Sequence, residues 1–219
     1  MATILLDVDG TLIDSYPGIR DSVRWMCDQL GIPQPSEELL HSFIGPPMRE
    51  SLHKLELGTI TLEDAMATYR RHYNQGNWAQ VQLYPGWQEV LAQWQAAGIH
   101  LFTATSKSED LAQKTLELVG IAPFFTDIVG ADATVGRDSK AKVIGEVLHR
   151  HAIDPAIEPI LMIGDRSYDR VGAQSFGIDT LLVTWGHGCD AEWQQAQFRA
   201  DSMDEVKGIV REFFTTTSA

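Results

Sequence analysis

Cysteine is scarce in this chain of 219 residues, and basic residues are few relative to acidic ones. The two thiols, Cys27 and Cys189, are too few and too distant for a disulfide framework or a zinc site, so we expect a reducing, cytoplasmic location. Seventeen Lys and Arg against thirty Asp and Glu give a net charge of -13. Such a charge repels phosphate backbones, which argues against nucleic acid as a partner.

Long apolar runs are also missing. No stretch approaches the ~20 residues that a membrane-spanning helix needs, so we expect no membrane partner. The apolar run at residues 3–6 is short and follows no basic residue, so we expect no signal peptide. With 44% hydrophobic and 21% charged residues, the composition is that of a globular enzyme with one large domain, or a core with an insertion.

Five short apolar runs are present, and each predicts a buried strand. They are residues 3–6, 99–103, 127–129, 159–163 and 180–183. Helix-length patterns lie between them, at residues 87–97, 109–119 and 140–151. Strands that alternate with helices predict an α/β fold with a parallel sheet covered on both faces. The tail, residues 213–219, is expected to be frayed.

Residues 15–83 break this alternation. Helical patterns occupy residues 19–30, 36–43, 47–55 and 62–73, and we predict no strand there. We therefore assign residues 1–14 and 85–219 to a core domain and residues 15–84 to an inserted all-helical cap domain. The hinges are expected at Asp14-Ser15 and at Tyr84-Pro85-Gly86. Four aromatic residues of the insertion lack metal-ligand spacing and are expected to be packing residues: His72, Tyr73, Trp78 and Tyr84.

Reactive side chains follow the predicted strands at the edge where open α/β sheets bind ligands. They are Asp7 and Asp9 after the first strand, Thr105, Ser106 and Lys107 after the second, Asp165 and Asp169 after the fourth, and Lys140 at the start of the preceding helix. Acids, hydroxyls and a lysine are therefore expected to meet at one edge of the sheet.

Asp7 and Asp9 are two residues apart, so continued extension of the strand would point both carboxylates the same way. Two carboxylates that close repel each other unless a cation joins them or one is protonated. With Asp165 they would form an oxygen-only cluster, which suits Mg²⁺ rather than zinc. One carboxylate can then act as a nucleophile, and the other as general acid and then base.

A phosphoryl group is the reacting group that suits this set. Gly10 lets the backbone approach a phosphate closely, and Thr105 and Lys140 can hold the oxygens of a transferring phosphoryl group. A single acid such as Asp14 or Asp132 is more simply a cap or turn residue. The set as a whole is not explained in this way, because two separate acidic patterns each come directly after an apolar run. These are Asp7-Val8-Asp9-Gly10-Thr11 and Gly164-Asp165-Arg166-Ser167-Tyr168-Asp169.

These residues resemble the four motifs of the haloacid dehalogenase superfamily, in the family's order and over nearly the whole chain. The motifs are residues 7–12, residues 105–107, Lys140 and residues 164–169. The resemblance implies a Rossmann-like three-layer core, with Asp7 as the phosphorylated nucleophile and Asp9 as the acid and base. It also implies that Mg²⁺ is held by Asp7, Asp165 and the main-chain carbonyl of Asp9, with Asp169 bonding nearby.

The lysine of the third motif has two candidates, Lys140 and Lys142. The register before Val143 in similar phosphatases favours Lys140. The two lysines lie about 200° apart around a helix, so they cannot both face the site. Lys142 is then expected on a solvated helix face.

The insertion resembles the helical cap of the phosphoglycolate phosphatase-like group, and residues 43–48 resemble its substrate-facing loop. Arg49 follows this loop and is a candidate contact for an anionic substrate, with a surface arginine as the alternative. Gly10, Ser106 and Lys107 are further candidate substrate contacts. His187 is expected in a loop near the entrance rather than as a catalytic base.

We therefore expect a Mg²⁺-dependent phosphatase that hydrolyses a small phosphorylated metabolite through an aspartyl-phosphate, as a monomer or homodimer. Phosphoglycolate fits the cap, and 5′-nucleotidase, pyrophosphatase and sugar-phosphate mutase activities are alternatives on the same scaffold. A dehalogenase would need neither Asp9 nor Asp165. A receiver-like phosphoacceptor is the alternative of a different class, but it lacks a helical insertion and an acid positioned like Asp9.

Overall fold

The structure is a computed structural model that describes residues 2–217. The strands within these residues are β1 (Thr3–Leu6), β2 (Ile13–Asp14), β3 (Gln82–Leu83), β4 (His100–Ser108), β5 (Asp127–Ala131), β6 (Ile160–Gly164), β7 (Asp179–Val183) and β8 (Phe198–Ala200). The helices are α1 (Tyr16–Leu30), α2 (Glu37–His41), α3 (Met48–Leu52), α4 (Leu62–Asn74), α5 (Trp87–Ala96), α6 (Glu109–Leu118), α7 (Lys140–Arg150), α8 (Ser167–Gln174), α9 (Asp190–Trp193) and α10 (Met203–Thr217). None of these helices is both long and apolar enough to cross a bilayer.

Six strands form one parallel sheet in the order β5-β4-β1-β6-β7-β8. Strand β1 is central, and its last residue, Leu6, lies opposite Thr103 of β4 and Ile163 of β6. Parallel pairing brings the carboxyl ends of β1, β4 and β6 to the same edge. The predicted parallel sheet is confirmed.

Each face of the sheet packs against its own apolar cluster. Ile4 and Leu6 lie in the cluster that α5, α6 and α10 complete, whereas Leu5 lies in the cluster completed by α7 and α8. This follows from the alternation of side chains along a strand. The residues of β1 are apolar without a break after Thr3 because both faces are covered. The Rossmann-like three-layer α/β core is thereby confirmed.

Helices α1 to α4 share a third apolar cluster, which includes Val23, Met26, Phe43 and Tyr69. The chain enters and leaves this helical cap through the antiparallel pair β2 and β3, in which Ile13 lies opposite Leu83. The prediction that residues 15–83 contain no strand is therefore wrong at β3, whose two residues are too few for a periodic signal. The domain division at residues 14/15 and 84/85, with its hinges, stays a prediction.

The C-terminal third contains elements that the apolar patterns did not predict, namely α8, α9, β8 and α10. Residues 213–217 are helical rather than frayed, because Phe213 is buried against the sheet in the cluster with Val206 and Val210. That part of the tail prediction is wrong. Residues 218 and 219 lie outside the described residues.

Candidate active site

Three aspartates meet at the carboxyl edge of the central strands. Asp7 follows β1 and its amide donates to the Ile163 carbonyl at 2.9 Å, while Asp165 follows β6. Asp169 lies in the first turn of α8. One carboxylate oxygen from each of the three lies within 4.8 Å of the others, and all three residues are buried. The predicted meeting of strand-end acids is present for these three residues.

Lys140, the first residue of α7, is the cation of this cluster. Its Nζ lies 2.7 Å from Asp7 Oδ1 and donates to the Ala104 carbonyl at 2.7 Å. It also forms an ion pair with Asp169 Oδ1 at 2.8 Å, without hydrogen-bond geometry. Lys142 is more than half exposed and pairs with Asp138 at 2.8 Å. Of the two candidate lysines, the structure brings Lys140 to the acids.

The buried cluster carries an excess of negative charge, because three carboxylates surround one ammonium. Burial raises the pKa of Asp7 to about 6, although Lys140 opposes this. Burial, followed by repulsion from Asp169 and Asp7, raises the pKa of Asp165 well above its usual range. Burial alone would lower the pKa of Lys140, but Asp169 and Asp7 outweigh it and hold that pKa above its ordinary value. The site therefore favours one more positive charge.

A divalent cation fits this requirement. Asp165 Oδ2 accepts from the His187 amide at 2.7 Å, but Asp165 Oδ1 is buried without a hydrogen bond. Asp169 Oδ2 accepts from the amides of Asp165 and Arg166 at 3.2 and 3.1 Å, and its Oδ1 pairs with Lys140 at 2.8 Å, so both of its oxygens have partners and it is a supporting group. Asp7 and Asp165 are thus the side chains that would hold Mg²⁺, because a hard oxygen set suits this ion.

The side chain of Asp9 does not join the three acids, contrary to the prediction from continued extension. Strand β1 ends at Leu6, and Asp9 forms an isolated bridge with Ile13 instead. Its carboxylate faces Lys107, whose Nζ lies 3.0 and 3.3 Å from the two oxygens. Asp9 thus lies beside the acidic cluster with a cation of its own.

Lys107 has two partners, one in the core and one in the cap. Besides Asp9, its Nζ donates to the Tyr73 hydroxyl of α4 at 2.9 Å. Its ammonium is therefore engaged, which argues against the predicted role of Lys107 as a free substrate contact. Tyr73 was expected to serve packing alone, and the structure gives it a polar contact as well.

Strand β4 is longer than predicted, so Thr105, Ser106 and Lys107 lie within its last residues. The register shifts between Thr105 and Ser108, an irregularity of the kind that re-aims side chains. Thr105 Oγ1 accepts from the Lys107 amide at 3.2 Å, and Ser106 Oγ is buried without a hydrogen bond. Both residues line a cavity of about 710 Å³ that also includes Asp7 and Asp9.

Gly10 and Arg49, two further predicted substrate contacts, each lie against an acidic residue of the protein. Gly10 has φ +87°, and a Cβ there would lie 2.3 Å from Asp165 Oδ2, so its lack of a side chain makes room for an acid. Arg49 lines the cavity at the cap, but its side chain is 55% exposed and paired with Glu63. It therefore lies at the rim.

The sequence patterns predicted neither Gly172 nor the contacts of Arg166, although Arg166 lies within the motif at residues 164–169. A Cβ on Gly172 of α8 would lie 2.7 Å from Lys140 Cγ, so this glycine leaves room for the lysine stem. Arg166 donates to the Ile44 carbonyl of the cap loop at 2.7 Å and pairs with Glu192 at 3.0 Å. A glycine in a helical pattern is a weak signal, and the partners of Arg166 are distant in sequence.

This chain is similar to known proteins over most of its length. The profile of the haloacid dehalogenase-like hydrolases matches residues 4–183. A tyrosine-protein kinase, PtkA of Mycobacterium tuberculosis, is 38% identical over 94% of this chain and 67% of its own length. A phosphoglycolate phosphatase of Vibrio parahaemolyticus is 28% identical over 94% of this chain and 95% of its own, and a 5′-nucleotidase of Pseudomonas aeruginosa is 30% identical over 89% and 87%. A haloacid dehalogenase-like family hydrolase of Streptococcus pneumoniae superimposes with a TM-score of 0.88 at 30% identity, covering 95% and 98% of the two chains.

Proposed function

The chain belongs to the haloacid dehalogenase-like hydrolases, and from this membership we propose that it is a Mg²⁺-dependent phosphatase of small phosphomonoesters with Asp7 as its covalent nucleophile. The observation that carries the proposal is the contact of Lys140 Nζ with Asp7 Oδ1 at 2.7 Å inside a buried group of three aspartates. The relatives named phosphoglycolate phosphatase and 5′-nucleotidase support the same chemistry.

Asp7 suits the attack because Lys140 orients it. The ammonium holds Oδ1, and Asp7 also lines the cavity where the substrate would lie. The opposite charge of Lys140 favours the ionised carboxylate that a nucleophile needs. Attack on phosphorus would form an aspartyl-phosphate and release the alcohol.

Asp9 is the proposed acid and base. It lines the same cavity but is separate from the acidic cluster, so the two acids lie in different electrostatic environments. Protonated Asp9 would give its proton to the leaving oxygen, and the resulting carboxylate would then take a proton from the water that hydrolyses the acyl phosphate. The second acid distinguishes an enzyme that hydrolyses its acyl phosphate rapidly from a receiver domain, which stays phosphorylated.

Thr105, Ser106 and Lys140 are proposed to surround the phosphoryl group. Ser106 Oγ is a buried hydroxyl without a partner within the described residues. Thr105 Oγ1 accepts a hydrogen bond from the backbone amide of Lys107, which leaves the Thr105 hydroxyl hydrogen free to donate. Positioned donors of this kind provide much of the catalysis in phosphoryl transfer. When bound by Asp7 and Asp165, Mg²⁺ would supply the charge that neutralises these carboxylates and the phosphoryl oxygens.

The test is phosphate release from a panel of small phosphomonoesters with Mg²⁺ and with EDTA, using wild type and Asp7→Asn. We expect turnover with Mg²⁺ and none with EDTA or with Asp7→Asn. Full activity of Asp7→Asn would refute the covalent mechanism, and full activity in EDTA would refute the metal dependence. Pyrophosphate and hexose 1-phosphates belong in the panel, because isomerised sugar instead of free phosphate would indicate a mutase.

A second candidate function follows from the relative named tyrosine-protein kinase. Phosphoryl transfer to tyrosine would use the same strand-end acids, with ATP as the donor that releases ADP and the tyrosine hydroxyl, instead of water, as the acceptor. Incubation with ATP and a tyrosine peptide, followed by mass spectrometry, distinguishes the two activities. Phosphotyrosine in the product would favour the kinase, and dephosphorylation of an added phosphotyrosine peptide would favour the phosphatase. Size-exclusion chromatography with light scattering would decide between the proposed monomer and homodimer.

A further inference from the structure

The cavity above Asp7 is large relative to a two-carbon phosphoester. Its volume of about 710 Å³ falls within the roughly 300–1,000 Å³ of sites for drug-sized ligands. A group the size of one water takes about 30 Å³, so a glycolate leaving group would occupy a small part of this space. The cavity extends from Asp7 and Asp9 in the core to Met66 and Tyr69 in the cap.

The cap side of this cavity has an aromatic and apolar patch beside its two arginines. Tyr69 and Tyr73 line it from consecutive turns of α4, with ring centroids 5.3 Å apart and ring planes at 17°. Met48 and Met66 line it from α3 and α4. Aromatic faces and thioethers both make favourable contacts with a flat ring. This wall therefore suits an aromatic group better than a charged one.

The cations that line the cavity are already paired, with one exception. Lys107 is paired with Asp9, Arg49 with Glu63, and Arg137 with Glu109. Within residues 2–217, Arg70 is the lining cation without an ion pair, and it is exposed.

The carboxylate of 2-phosphoglycolate, which the ester oxygen and one CH₂ separate from phosphorus, would have to leave water inside this cavity. It would need a desolvated cation close by, because burying an unpaired charge is costly. Lys107 is the buried cation beside Asp9, and its ammonium is already shared with Tyr73. Glycolate thus lacks a partner deep in the cavity, whereas a neutral ring does not need one.

We infer that the substrate is a phosphomonoester whose leaving group carries an aromatic ring, seated on the cap wall formed by Met48, Met66, Tyr69 and Tyr73. The inference rests on the proposed phosphatase function and adds the substrate class. A phosphorylated tyrosine and a nucleoside monophosphate both supply such a ring, at different distances from phosphorus.

The experiment compares kcat/KM for benzyl phosphate, ethyl phosphate and 2-phosphoglycolate with Mg²⁺. Benzyl and ethyl esters both release primary alcohols, so their difference reports on the ring rather than on leaving-group acidity. We expect benzyl phosphate to exceed both others by about tenfold or more. Uridine 5′-monophosphate then places the ring one sugar away and also releases a primary alcohol, so a preference for it over ethyl phosphate supports the inference. O-phosphotyrosine releases a more acidic phenol, so only a lower KM than that of ethyl phosphate supports the inference in its case.

Two variants locate the ring. Tyr69→Leu should lower the ratio of kcat/KM for benzyl over ethyl phosphate by about fivefold. Trp25→Leu is the matched control, because Trp25 stacks on His72 in the cap at 4.7 Å and does not line the cavity. This control should keep the wild-type ratio. An unchanged ratio in folded Tyr69→Leu would overturn the assignment of the wall.

Binding of inert analogues separates this inference from the proposed function. Calorimetry with benzylphosphonate and phosphonoacetate measures the same preference without hydrolysis, and we expect benzylphosphonate to bind about tenfold more tightly. Equal or tighter binding of phosphonoacetate, or a preference for 2-phosphoglycolate in turnover, would overturn the aromatic substrate class. Absence of phosphate release from every ester would refute the phosphatase function. The calorimetric comparison would still show whether the cavity prefers a ligand with an aromatic ring.

Discussion

The ammonium of Lys107 lies 3.0 Å from Asp9 Oδ1, and both side chains are nearly buried. Burial by itself would lower the pKa of Lys107, but Asp9 and then Tyr73 outweigh it and hold the pKa above its ordinary value. The proposed acid and base is thus joined through one cation to Tyr73 of the cap. The position of the cap and the position of the Asp9 carboxylate are therefore coupled through Lys107.

Removal of the Tyr73 hydroxyl should therefore affect turnover although Tyr73 contacts no acid directly. We expect Tyr73→Phe to lower kcat by about threefold to tenfold, since it removes one hydrogen bond from a charged group. Lys107→Met should lower kcat by about a hundredfold, because it leaves Asp9 without its cation. Steady-state kinetics with a fixed substrate measures both. Tyr168→Phe is the control with wild-type rates expected, and equal kcat for Tyr73→Phe and wild type would contradict the coupling.

Lys140 and Lys142 provide a matched pair two residues apart. Lys140 contacts Asp7 inside the cluster, whereas Lys142 pairs with Asp138 at the surface. We expect Lys140→Met to lower kcat by about 10²–10³-fold, as for the loss of one positioned donor. Lys142→Met should stay within about twofold, because exposed ion pairs contribute little. Similar losses in both variants would mean that charge near α7, rather than the contact with Asp7, matters.

The repulsion among Asp7, Asp165 and Asp169 has a consequence for stability. In EDTA, Asp7→Asn should melt at the same temperature as wild type or higher, since it removes one of three buried negative charges. Mg²⁺ at about 100 times its Kd contributes about 2.7 kcal/mol, which raises the Tm of a chain of this size by roughly 5–10 °C. Differential scanning fluorimetry should show this rise in wild type and a smaller one in Asp7→Asn. An equal increase of Tm in both proteins would show that Asp7 does not bind the metal.

The two thiols should differ in reactivity. Burial raises the pKa of Cys27 to about 11, whereas Cys189 is exposed. Because a raised pKa keeps the thiol protonated well above neutral pH, Cys27 has almost no thiolate at pH 8. Iodoacetamide at pH 8 should add one group to the native protein, on Cys189, and two groups in denaturant. Peptide mass spectrometry identifies the sites, and rapid native labelling of Cys27 would contradict the burial of α1.

Local sequence signals predicted the elements that carry the site. Apolar runs marked β1, β4 and β6, and parallel pairing requires the carboxyl ends of these strands to lie at one edge. The sequence alone therefore predicted that Asp7 and Asp165 lie close together. Short or polar elements were missed for the opposite reason. Strand β3 has two residues, and β8 has three with an exposed arginine at its centre, so neither has enough periodicity to be detected.

By itself, the sequence determined the α/β alternation, the helical insertion and the family motifs, because each depends on residues close together in the chain. The tertiary structure decided the pairings. Lys107 meets Asp9 across 98 residues and Tyr73 across 34, and Lys140 meets Asp7 across 133. Such contacts depend on how the cap sits over the sheet and on which lysine of α7 faces the acids. The partners of a charge, and therefore its role, are set by packing between elements that no local pattern specifies.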